Sequence, residues 1–142
     1  MMKNKTLYNA FIFSLLTLCF TVKAEVVVIA SKNINLTNLD ARIINRIYTG
    51  RIIELRGVNI IPVNALPGDP IRTKFLNKYL DKDEDKYEAY WTVRRFIGKG
   101  TPPKELLSSQ DILDYIINTP GAIGYVETDK IEIPDTVKII GK

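Results

Sequence analysis

Gly68-Asp69-Pro70-Ile71-Arg72 is the stretch whose residue types are best suited to chemistry. It follows the apolar run Val58 to Val63 and opens a segment with helical periodicity, Ile71, Phe75, Leu76, Tyr79 and Leu80. Where a strand runs into a helix, the first turn leaves backbone N–H groups free beside the positive end of the helix dipole, and such a place holds anions. Arg72 adds a permanent cation. Asp69 pulls the other way: it is a good N-cap that brings a negative charge, and Pro70 removes one N–H. Simple capping and anion binding both stand as readings of these residues.

Four other groups carry weaker signals. Arg94 and Arg95 with Lys99 and Lys104 form a basic cluster, read as a solvated helix end or an anion or partner contact. Tyr87, Tyr90 and Trp91 at helical spacing read as a core face or as a stacking box for a ligand. Asp81 to Asp85 resembles the start of a calcium loop, but the glycine and glutamate such a loop needs are replaced by Lys86 and Thr92, so it reads as a solvated link. Ser31 beside Lys32 would need a base to act as a nucleophile, and adjacent residues point apart.

The chain has no histidine, and its one cysteine is Cys19. Imidazole bases, thiol nucleophiles, disulfides and His/Cys metal sites are therefore outside its chemistry beyond the leader described next. No catalytic residue, metal or cofactor is expected, and the chain reads as a non-enzyme.

Lys3 and Lys5 precede a mostly apolar run from Leu7 to Val22, and Val22-Lys23-Ala24 has small residues before a cut ahead of Glu25. That is the form of a secretory signal peptide spanning residues 1–24. A periplasmic domain, residues 25–142, is expected, with no stable membrane anchor after cleavage. In that domain 17 basic side chains face 16 acidic ones, so the charge balance gives no reason to expect a nucleic-acid partner.

The elements that would position these residues follow from patterning. Val26 to Ala30 is a continuous β-branched run suited to a strand buried on both faces, as in a parallel sheet. Thr37 reads as the cap of a helix through Leu39, Ile43, Ile44, Ile47 and Tyr48 that Gly50 ends. Arg56-Gly57 is a turn before the Val58–Val63 strand. Asp69 caps the second helix, Tyr87 to Ile97 forms a third, Gly100 to Pro103 is irregular, and Ser108 with Asp111 caps a fourth. Ala122–Val126 and Thr136–Ile140 are strands. The order is that of one α/β domain of two or three layers.

Three segments in order resemble a known family. Leu36-Thr37-Asn38-Leu39, followed by Ile47-Tyr48-Thr49-Gly50-Arg51, is similar to the L-T-x-x-x-x-x-I-F-x-G-K segment of phosphate-type periplasmic substrate-binding proteins. Pro67 to Phe75 resembles their Gly-Ser-Gly-Thr-Arg-x-x-Phe segment. Pro120-Gly121-Ala122-Ile123-Gly124-Tyr125-Val126 matches their P-G-A-I-G-Y-V strand. Tyr90-Trp91 and Gly98 to Pro103 resemble a short, single-lobe subgroup called phosphate ABC transporter substrate-binding proteins. The resemblance implies a type II periplasmic-binding-protein-like lobe: a mixed, mostly parallel sheet flanked by helices, its last strand free to run antiparallel. It implies phosphate or a related oxyanion as ligand, and an ABC transporter permease or another periplasmic protein as partner. The anion would sit at Gly68, Asp69, Ile71 and Arg72, with Ser31 and Thr101 at the rim. The family's Ser-Gly-Thr is replaced here by Asp69-Pro70-Ile71, which removes both hydroxyl donors. A lobe repurposed as an interaction or sensory module without small-ligand binding is the competing expectation.

Overall fold

The computed structural model describes residues 23–142; the expected signal peptide lies almost wholly outside them. β1 (Val26–Ser31) is followed by α1 (Ala41–Tyr48) and a two-stranded ribbon of β2 (Glu54–Leu55) and β3 (Val58–Asn59). Then come β4 (Ile61–Ala65), α2 (Pro70–Phe75) with a π-helical extension (Leu76–Leu80), α3 (Glu84–Phe96), β5 (Lys104–Leu106), α4 (Ser109–Asn118), β6 (Ala122–Glu127) and β7 (Val137–Gly141).

The main sheet has the order β5-β4-β6-β1-β7. β4 pairs in parallel with β5 and β6, and β1 pairs antiparallel with β6 and β7. Four of the five strands therefore point one way, with β1 reversed between two of them. β1 is buried on both faces as its composition requires, but it is not a parallel strand. Burial on both faces follows from helices on either side of the sheet, and strand direction does not enter into it.

Successive residues of β6 face opposite layers. A Cβ on Gly124 would meet Ile112 and Ile116, so α4 lies against that side. Tyr125 points the other way, stacked on Phe75 at 3.9 Å between ring centres, with Tyr48 at 6.0 Å. α1 and α2 thus cover the second face, and the architecture has three layers.

Several local expectations shift. α1 is capped by Asp40, whose carboxylate accepts from the Ile43 N–H at 2.8 Å; Thr37, three residues earlier, lies outside the helix. Asp40 wins because only the residue immediately before the first turn can reach its free N–H groups. The Val58–Val63 strand is split in two at Ile60, with Pro62 near the start of β4. The Arg56-Gly57 turn is present, both residues at positive φ, the geometry of a tight hairpin. The charged link is shorter than expected because Asp83 caps α3 at Glu84. Lys104–Leu106, with no alternating pattern, is an edge strand made by pairing with β4.

Candidate functional site

Asp69 caps α2 as its type dictates: its carboxylate accepts from the Ile71 N–H at 3.0 Å. One of the first-turn N–H groups is therefore taken by the chain's own aspartate. The Ile71 side chain is buried in the core, and Gly68 lies in open space at φ +86°.

One turn into α2, Arg72 points inward, its side chain only 3% exposed. Its Nε donates to Glu84 at 2.9 Å and one terminal nitrogen to the other oxygen of the same carboxylate at 2.5 Å. The second terminal nitrogen donates to Glu105 at 2.8 Å and to the Ala65 carbonyl at 2.9 Å. Burial alone would lower the guanidinium pKa, but the two carboxylates outweigh it and raise it. Arg72 binds helix α3 and strand β5 to the end of β4.

Beneath this ion triad runs a buried chain of hydroxyls and one amide. The Ala65 N–H donates to the Tyr125 hydroxyl at 3.0 Å, which donates to the Asn64 Oδ1 at 3.2 Å. The Asn64 Nδ2 donates to Tyr87 at 3.2 Å, and Tyr87 donates to the Tyr48 carbonyl at 3.0 Å. Burial pushes the Tyr48, Tyr87 and Tyr125 hydroxyls above the ordinary tyrosine range, so all are neutral donors and acceptors. Each link polarises the next, and a fully satisfied network of this kind fixes one arrangement.

The structure keeps Gly68, Asp69, Ile71 and Arg72 together but does not add Ser31 or Thr101 to them. Tyr125 pairs with Val28 on β1. Ser31 is three residues further along, about 10 Å toward the other end of the sheet. There it lines a pocket with Lys32, Asp135 and Thr136. Thr101 lines an apolar groove with Ile53, Ile61 and Pro62, again at the Ile61 end. The basic cluster is dispersed. Arg94 donates to the carbonyls of Gly50 and Lys99, Lys104 lies over the Tyr115 ring, and Arg95 stays exposed. Sequence reading missed Glu84, Glu105 and Asn64. Glu84 was hidden in a charged link, and no spacing links Glu105 to Arg72 across 33 residues.

A search of solved structures finds this fold elsewhere. The chain superposes on a phosphate ABC transporter substrate-binding protein from Clostridium perfringens solved with bound phosphate. The TM-score is 0.65 at 19% identity, over 82% of this chain and 44% of that one. The fold is that of the phosphate-type periplasmic binding proteins. PstS from Borrelia burgdorferi matches with a TM-score of 0.63 at 16% identity, over 83% and 47% of the two chains. An ABC-type phosphate transport receptor from Vibrio cholerae matches at 0.57 and 14% identity, over 82% and 45%. The chain thus spans less than half the length of these neighbours, which are binding proteins by description. No family model and no curated protein matches the sequence. Among the described residues no helix is long and apolar enough to cross a membrane.

Proposed function

We propose that the chain is a periplasmic binding-protein-like lobe associated with an ABC-type phosphate transport system. It acts there by contact with a protein partner, such as the transporter permease, and not by catalysis or by holding phosphate at the start of α2. The observation that carries this reading is the state of Arg72: its three nitrogens are engaged by Glu84, Glu105 and Ala65. An incoming dianion would face Asp69, Glu84 and Glu105 around a guanidinium that is already neutralised, and binding a phosphate dianion calls for several free donors. The outer face of α3 supports a partner. Val93, Phe96 and Ile97, at helical spacing, are exposed, Phe96 to 91%, and contiguous apolar surface of this kind marks interaction sites.

Capture of an oxyanion at Gly68, Asp69, Ile71 and Arg72 is the second reading. It is favoured by the fold shared with a phosphate-bound neighbour and by the open space at Gly68. Calorimetric titration with phosphate, sulfate and molybdate separates the two. The first reading expects no heat up to ~10 mM, and saturable heat from any of the three overturns it. Asp69→Ser replaces an acceptor by a donor while keeping the cap. Under the second reading this variant strengthens oxyanion binding, and under the first it leaves the titration flat.

A further inference from the structure

α3 is seated on the molecule by one side. Of its 13 residues Tyr87 and Trp91 are buried, and Glu84 turns inward to Arg72. At about 100° per residue, Ala89, Val93 and Phe96 fall on the opposite side, within an arc of about 60°. All three are exposed, and Ile97 continues the stripe past the helix end. The outward side of a surface helix is ordinarily polar. Here an apolar ridge about 10 Å long, from Ala89 to Phe96, stands in water.

The ridge is its own complement. α3 opens with the acidic Glu84 and Asp85 and closes with the basic Arg94 and Arg95, with Lys99 just beyond. A second α3 laid antiparallel sets each acidic end against a basic one; a parallel one sets like on like. The pairs Ala89–Phe96 and Asp85–Lys99 share a midpoint beside Thr92, so one two-fold axis there serves both. It places the small Ala89 opposite the large Phe96 twice over and brings Asp85 of each copy toward Lys99 of the other. Asp85 and Lys99 are exposed, and among the described residues neither enters an ion pair. Lys86, also on the outward side, is held by Asp83 at 3.3 Å. A bilayer offers no such match: a helix lying flat on anionic headgroups would bring Asp85 down with Phe96.

We propose that α3 is a self-association surface, and that two copies of the chain pair through antiparallel α3 helices about a two-fold axis near Thr92. This names an occupant for the α3 face and rests on the proposed reading of that face as a contact surface; it asks nothing of the anion position. One helix pair buries less than a standard interface of about 1,600 Å². The dimer is therefore weak, with a Kd of ~100 μM.

The test is sedimentation velocity on the protein recovered from the periplasm, from ~1 μM to ~1 mM. The weight-average mass climbs from monomer toward dimer across that range. Phe96→Ser, outside the core, moves the midpoint up at least ~10-fold. Asp85→Lys and Lys99→Asp each weaken pairing ~10-fold at low salt, because a two-fold axis counts every change twice, and the two together restore it. A monomer throughout the range, a dimer indifferent to Phe96→Ser, or a charge reversal that its counterpart does not restore overturns the proposal. Vesicles of anionic and of neutral phospholipid are spun with the same samples. A monomer that pellets with the anionic vesicles has a bilayer on α3. One that ignores them leaves contact with a different protein, as in the proposed function, standing without the second copy. Both outcomes overturn the dimer.

Discussion

Each nitrogen of Arg72 is engaged inside the chain. Its charge is tolerated in a nearly closed place because two carboxylates and a carbonyl meet its fork. Arg72→Met leaves the partly exposed Glu84 and Glu105 carboxylates and the Ala65 carbonyl without their donor, and urea denaturation should show a loss of about 1–3 kcal/mol. Arg72→Lys recovers only part of it, since a single ammonium cannot meet the Glu84 carboxylate bidentately. Tyr125→Phe removes the hydroxyl that receives the Ala65 N–H and donates to Asn64. Two buried groups lose their partner, and the same measurement should show about 2 kcal/mol. None of this was legible at the level of single residues. Arg72 beside Gly68 and Asp69 has the spacing of a ligand-binding cation, and only the fold shows that Glu84 and Glu105 reach it first.

Helix starts were the part of the architecture that sequence shows best, because a cap is a local interaction. Asp69 and Ser108 cap the helices they were expected to cap. The first helix was misplaced because Thr37 and Asp40 are both good caps three residues apart. Strand direction and the short β5 were not legible, since pairing partners lie far away in the chain. Asp83 offers a pH test. The Lys86 N–H bonded to its carboxylate holds the pKa below the ordinary aspartate value. The contribution of this cap is therefore complete above about pH 4 and is lost as pH falls through the lowered folded value. The melting-temperature gap between wild type and Asp83→Ala should stay constant from neutral pH down to that point and close below it. At the crossing of α4 over β6, a Cβ on Gly124 would come within 2.5 Å of the Ile112 side chain. Gly124→Ala should cost about 1–3 kcal/mol in denaturant unfolding, through forced repacking of α4.

For the molecule as a whole, three ordered motifs in the sequence pointed to a fold that the solved neighbours share. What they could not convey is that Arg72 is engaged from within the chain by Glu84, Glu105 and Ala65. Export remains a prediction: intact mass of the protein recovered from the periplasm should correspond to a chain beginning at Glu25, and a chain still carrying Lys3 and Cys19 refutes it. One further consequence belongs to the reversed central strand. β1 is the first strand of the described chain, yet its neighbours on either side are the last two, with Val26 paired to Glu127 and Ser31 to Val137. The middle of the sheet is thus a set of contacts closing loops of about 100 residues, the topology that makes a chain slow to fold. A polypeptide still short of Val137 lacks one wall of its central strand and cannot complete the sheet. The interval in which the chain stays open is therefore set by its own connectivity, and a chain ended after Asn118 should show helix signals without a cooperative unfolding transition.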